Sequence, residues 1–195
     1  MVAALILIAD GTEEMEFTIS YDTLVRGEVE CTSAFVGPTD DAPTSVVATC
    51  SRGVKIVADV AFDPAACAQN DFDLLVIPGG LKGAETLSKN SSVQLLIREY
   101  LNSDKYVGMI CAGTLAALTS GLPKQPITSH PSVKSQLDKD FEYKEESVVV
   151  SGHLITSRGP GTAFPFALTL VELLCGSEKR KAVSGPMVFP EGVHW

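Results

Sequence analysis

With 195 residues, 45% of them hydrophobic, the chain has enough apolar material for one well-filled core and too little length for two comfortable domains, so residues 1–195 are expected to form a single domain. A formal net charge of −9 with no compensating basic run argues against a nucleic-acid or anionic-membrane partner; Glu178-Lys-Arg-Lys181 is short and follows a helix end. A small neutral or electrophilic substrate fits that charge better.

Val2 to Ala9 is apolar, lacks a basic leader and stops at Asp10-Gly11, which predicts a buried parallel strand and not a signal peptide or a membrane span. Met15, Ile19 and Leu24 fit a first crossover helix between Glu13 and Arg26. Cys31 to Val36 predicts a second strand and Asp40 to Ser45 a polar loop. Val46 to Cys50 and Val54 to Val57 flank Ser51-Arg52-Gly53 as a small hairpin. Leu74 to Ile77 reads as a third strand, Val93 to Leu101 as a middle helix and Val107 to Ile110 as a fourth strand. Leu154 to Thr156 is strand-like and pairs with Ser147 to Val150 around Ser151-Gly152-His153 as a second hairpin, added to the sheet; Ala163 to Leu174 predicts a last, largely buried helix. The repeated βαβ order implies an α/β fold, a mostly parallel central sheet with helices on both faces.

In such sheets ligands bind outside the carboxyl ends of the strands. Three loops are expected to meet there: Asp10 to Glu16, Pro78-Gly79-Gly80 and Cys111-Ala112-Gly113. Cys111 stands where an apolar strand turns sharply into a helix, a geometry that holds a nucleophile in strained backbone with the next helix's amides beside it. A thiol there is expected to lose its proton more easily. The other reading is a small buried hydrophobe, as most free cysteines are. The five cysteines are scattered without metal or CxxC spacing, which suggests reduced thiols in a cytosolic compartment.

Glu13, Glu14 and Glu16 crowd the first turn of the first helix; for Glu13 and Glu14 capping and solvation suffice. Glu16 lies further in, where an inward carboxyl would be desolvated enough to hold a proton near neutral pH and hydrogen-bond Cys111. Gly79 and Gly80 are either a tight turn only or a means of aiming the Gly80 amide, with that of Ala112, at an oxyanion beside Cys111. His130, in Ser129-His130-Pro131, is a turn residue or the partner of a Cys-His dyad. Arg158 and Arg52 are solvated by default; turned inward, either would bind an anion or an oxidised sulfur near Cys111. His153 and His194 carry no such context and read as surface residues.

Ala9-Asp-Gly-Thr-Glu-Glu-Met-Glu16, Pro78-Gly-Gly-Leu-Lys-Gly-Ala84, Ile110-Cys-Ala-Gly113, Ser129-His-Pro131 and Thr156-Ser-Arg-Gly-Pro-Gly-Thr162 together resemble the ThiJ/PfpI superfamily, in its DJ-one branch of parkinsonism-associated proteins. The resemblance runs in order from Ala3 to about Glu172. It implies a flavodoxin-like three-layer sandwich that forms a homodimer, a reactive Cys111 with Glu16 as its protonated partner, His130 nearby, and the Gly80 and Ala112 amides around the site. The implied activity is glutathione-independent glyoxalase chemistry, methylglyoxal to lactate, with protection against oxidative and carbonyl stress, in the cytoplasm and also the nucleus. No metal or organic cofactor is implied. Thr114 stands where a proline is familiar, Val57 where a peripheral cysteine is often found, and the tail from Ser184 to Trp195 is poorly covered. A redox sensor whose Cys111 is oxidised to sulfinic acid is the alternative; a peptidase is disfavoured because Ala112 stands where peptidase relatives carry histidine.

Overall fold

A computed structural model of the chain describes residues 1–39, 43, 45–67 and 71–193. Most of the expected loop from Asp40 to Ser45, and His194 with Trp195, lie outside the described residues. The first half runs β1 (Ala3–Ile8), α1 (Glu14–Arg26), β2 (Glu30–Phe35), β3 (Val47–Thr49), β4 (Lys55–Val57), β5 (Val60–Ala61), β6 (Leu74–Ile77), α2 (Leu81–Lys89) and α3 (Ser91–Asn102). The second runs β7 (Tyr106–Ile110), α4 (Leu115–Thr119), β8 (Pro126–Ile127), α5 (Lys134–Leu137), β9 (Glu142–Tyr143), β10 (Val148–Ser151), β11 (Leu154–Ser157), α6 (Ala163–Cys175) and α7 (Ser177–Ser184).

The main sheet has the order β10-β11-β7-β6-β1-β2-β5, parallel throughout except for the antiparallel edge pair β10–β11. β1 and β6 are apolar at every position because both faces are covered, and their residues are fully buried but for Ala3 at the start of β1. Helix α1 packs on α6, which lies against β7 and β11; α2 packs on α3 and α4, and α3 lies against β6 and β7. The expected α/β sheet with helices on both faces is therefore present. Among the described residues no helix is long and apolar enough to cross a membrane.

One expectation needs correction, and one helix is not evident from the sequence pattern. The hairpin expected around Ser151-Gly152-His153 is present as β10–β11, but it is no add-on: β11 pairs in parallel with β7 inside the main sheet and β10 is its antiparallel edge. Its strongest partner is distant in sequence, so the local hairpin pattern conceals it. Helix α2 went unpredicted because Gly83 interrupts it, and an interior glycine weakens a helix by about 1 kcal/mol against alanine. The fold keeps that glycine for space: a Cβ on Gly83 would stand 2.6 Å from the Thr12 amide nitrogen. The hairpin β3–β4 is as expected, a separate two-stranded unit.

Gly108 in β7 has the same logic, since its missing side chain is where α6 sits, with Phe166 Cζ 2.9 Å from the position a Cβ would take. Gly108→Val should lower unfolding stability by about 1–3 kcal/mol through overpacking, read as a shift of the urea midpoint; an unchanged midpoint would contradict this packing.

Candidate active site

The strand order reverses between β1 and β6, and the carboxyl ends of β7, β6 and β1 lie side by side. The three loops expected to meet therefore follow three neighbouring strands. Beyond Ile110 the chain turns at once into a 3-10 turn, Cys111–Thr114, and then α4. Cys111 takes φ +63, left-handed backbone that side-chain-bearing residues rarely adopt, at a cost of roughly 1–2 kcal/mol. Gly113 makes the turn possible: a Cβ there would stand 2.5 Å from the Ile77 carbonyl oxygen and 2.6 Å from that of Pro78. The Cys111 carbonyl accepts a 3.3 Å bond from the His130 amide. Cys111 keeps 8% of its surface exposed, so it is lodged in the protein without being sealed.

Glu16 reaches the sulfur from α1. Glu13 caps that helix, its Oε2 accepting the Glu16 amide at 2.9 Å, and this places the Glu16 side chain inward with no exposed surface. Glu16 Oε2 accepts the Gly79 N–H at 2.7 Å. Its carboxyl lies against the Cys111 thiol, and each group shifts the acidity of the other; Oε1 has no hydrogen-bond partner among the described residues. Gly79 allows the approach, because a Cβ on it would stand 2.5 Å from Cys111 Cβ and 2.6 Å from Glu16 Oε2.

Burial drives the electrostatics. It pushes the Glu16 carboxyl up to about 7, helped by the charge of Glu13 and opposed by the bonds from Cys111 and Gly79. Burial also pushes the Cys111 thiol up, to about 12, with the Glu16 charge and hydrogen bond adding to it and the Ala112 and Gly80 amides opposing. The easier ionisation expected from the helix end is thus outweighed in the resting protein. Two adjacent anions away from water repel strongly, so near neutral pH the pair carries at most one negative charge, and a thiolate forms only with the proton on Glu16.

The Gly80 and Ala112 amides are the groups that oppose the rise of the Cys111 thiol. Gly80 has φ +83, and a Cβ there would collide with the backbone of residues 11–13, so its side chain is excluded by the first loop and not by the space beside Cys111. His130 is half-buried. Its Nδ1 accepts the Ser132 amide at 3.2 Å and meets Ser132 Oγ at 2.8 Å, which leaves the ring proton of the neutral form on Nε2. Arg52 is exposed and its Nη1 donates to the Ser51 carbonyl; Arg158 is half-buried with its amide on Thr162 Oγ1 and its charge felt by Glu145. Neither guanidinium is among the groups that shift the Cys111 thiol.

Glu13 caps the helix as expected, but Glu13 and Glu14 are both only 8% exposed, so neither is a solvated carboxylate. Glu14 accepts from Ser51 Oγ at 2.8 Å and the Arg52 amide at 2.9 Å, tying the β3–β4 turn to α1; burial pushes its pKa up, but its hydrogen bonds together hold it below the usual carboxylate value. Among the described residues no cluster of three His, Cys, Asp or Glu side chains could hold a metal ion.

A strained cysteine at the carboxyl ends of a parallel sheet, beside a buried carboxyl, sits in an α/β protein of flavodoxin-like fold. The DJ-1/PfpI family matches residues 2–173, and the chain belongs to that family. It is 40% identical to glutathione-independent glyoxalase DJ-1 of Schizosaccharomyces pombe, over 97% of this chain and 100% of that one. It is 42% identical to protein DJ-1alpha of Drosophila melanogaster, over 95% of this chain and 83% of that one. The solved structure of Schizosaccharomyces pombe DJ-1 superposes with a TM-score of 0.89 at 37% identity, covering 97% of this chain and 100% of that chain.

The raised Glu16 has a consequence for stability. Unfolded, it ionises near its usual 4.5; folded, near 7. Its contribution is therefore complete below 4.5 and lost as pH rises through about 7, a change of about 3 kcal/mol by linkage. Glu16→Gln should flatten that fall, gaining on the parent at pH 8 relative to pH 4 in urea unfolding; parallel pH profiles for the two proteins would contradict the assignment.

Proposed function

We propose that this protein is a cofactor-independent glyoxalase that converts methylglyoxal and related 2-oxoaldehydes to 2-hydroxy acids without glutathione, and thereby protects against carbonyl and oxidative stress. The observation that carries this reading is the buried Glu16 carboxyl set beside the Cys111 sulfur, both crowding the same side of Gly79, since the reaction is an internal redox exchange that needs a nucleophile and a proton carrier at adjacent carbons. The relative from Schizosaccharomyces pombe named as a glutathione-independent glyoxalase supports it.

In the proposed sequence the proton passes to Glu16 Oε1 and the Cys111 sulfur bonds to the aldehyde carbon. The former aldehyde oxygen, negative as the bond forms, lies with the Gly80 and Ala112 amides and takes the proton from Glu16, giving a hemithioacetal. The Glu16 carboxylate then removes the hydrogen on that carbon while His130 Nε2–H donates to the ketone oxygen, giving an enediol. Glu16 returns its proton to the neighbouring carbon, and the hydroxyl of the first carbon gives its own to His130. The first carbon is then oxidised to a thioester and the second reduced to an alcohol, with no outside electron acceptor. Water cleaves the thioester to the 2-hydroxy acid and restores the thiol.

A redox-sensing role rests on the same groups. Two amides and a protonated carboxyl are donors suited to a sulfinate, so oxidation of Cys111 would be stabilised here. For assembly the proposal is a homodimer: Met15, Val54 and Val57 are exposed, and the bonds from Glu14 to Ser51 and Arg52 hold their two elements together as an apolar face. The proposed location is the cytoplasm, and the nucleus as well.

Methylglyoxal without glutathione should yield a single lactate enantiomer. Cys111→Ser should abolish turnover and Glu16→Gln should lower it roughly 10²-fold or more, while His130→Ala should cost less, about tenfold. For the parent, kcat/KM should rise with pH through about 7, where the pair sheds its first proton. Turnover surviving in Cys111→Ser would contradict the proposal.

A further inference from the structure

A cavity of ≈ 350 Å³ lies at the opposite edge of the sheet from Cys111. Arg98 in the last turns of α3, Leu122 and Gln125 after α4, and Ser151, His153 and Leu154 around the β10–β11 turn contribute to its walls. Leu154 pairs with Val107 near the start of β7, whereas Cys111 follows the last residue of that strand; at about 3.3 Å per residue the two places are about 13 Å apart along it. The cavity is therefore no part of the cysteine site. Its size falls within the range of small-molecule sites, and apolar walls with a few polar groups are how such sites are built.

The charge in this cavity is unanswered. Arg98 is half-buried, and its guanidinium donates from Nη1 to the Ser120 carbonyl at 3.3 Å. Among the described residues no carboxylate lies within ion-pair range of it; Arg52 and Arg158 also lack one, whereas Arg26 and Arg180 have Asp22 and Glu172. Of the three arginines without an ion pair, Arg98 is the one that lines this cavity. A guanidinium has five N–H donors in a planar fork matched to a carboxylate, so most of the fork remains free.

The neighbouring polar groups are held in place. Ser151 Oγ bonds Gln125 Oε1 at 3.1 Å, and Gln125 Nε2 donates to the Pro123 carbonyl at 3.2 Å. The His153 ring packs at a tilt against Tyr106 with centroids 4.9 Å apart, and its Nδ1 is 3.8 Å from the exposed Asp104 carboxylate. The carboxyl ends of α3 and α4 lie near and favour a cation, but each acts as only about half a charge, and Arg98 already answers the Ser120 carbonyl. The full charge on Arg98 prevails.

We propose that this cavity binds a small organic carboxylate, its charge held by Arg98 and its apolar body lying against Leu122 and Leu154. Benzoate titrated into the ¹⁵N-labelled full chain should shift the amides of Gly121, Ser151 and Leu154 to saturation and leave that of Ala112 unmoved. Benzamide, the same shape without the charge, should bind about tenfold more weakly or worse. Arg98→Met should remove the preference for benzoate while methylglyoxal turnover is unchanged. Leu122→Glu, which sets a carboxylate in the cavity, should abolish benzoate binding independently. Equal binding of the two probes, shifts centred on Ala112, no saturation, or benzoate binding that survives both substitutions would overturn the proposal.

Discussion

The structure depends on one close approach: a carboxyl and a thiol, both taken out of water, with room between them for a hydrogen bond and no room for a side chain on Gly79. Desolvation disfavours a charge on either group, and their mutual repulsion disfavours two charges even more. The result is a pair whose proton is held well above the ordinary range of a carboxylic acid. Other features of the site follow from keeping that pair in place. Cys111 accepts left-handed backbone to hold its sulfur over the turn, and Gly113 lets the turn press on the end of β6.

The fold supplies the pair from opposite directions. Glu16 comes from the helix after β1, Cys111 from the turn after β7, and the loop after β6 between them contributes Gly79 and Gly80. A parallel sheet brings such distant segments together because all its strands end at one edge. The first loop is fixed from both sides. Glu13 closes the helix end, Glu14 holds the β3–β4 turn, and Gly83 lets α2 lie against Thr12. A carboxyl buried with one oxygen unpartnered is costly, and these contacts keep Glu16 in that position.

The parts legible in the sequence were those whose signal is local. The apolar runs of β1, β6 and β7, the amphipathic pattern of α1 and the strand-glycine-helix pattern at Cys111 each lie within a dozen residues. So did the two amides: Gly80 and Ala112 could be named from their places in the turns. The parts that were not legible depend on partners far along the chain. β11 is half of the expected hairpin, but its other, parallel neighbour β7 is some fifty residues earlier and leaves no local sign. Gly79 resembled the spare member of a glycine pair, although it is the one that Cys111 and Glu16 crowd. Glu14 resembled a solvated first-turn carboxylate until the hairpin covered it. The acidity of the sulfur was misjudged for the same reason, since a helix end is visible in a sequence and the depth of burial is not.

The central claim is that a thiolate at Cys111 and a proton on Glu16 arise together. It is tested by following thiolate absorbance across pH while the Glu16 carboxyl is observed through a ¹³C label in the same sample. The account predicts that the label keeps the shift of a protonated acid in every sample where the thiolate is present near neutral pH, and that Cys111→Ser removes this coupling. A thiolate found beside a fully ionised Glu16 at that pH would contradict it.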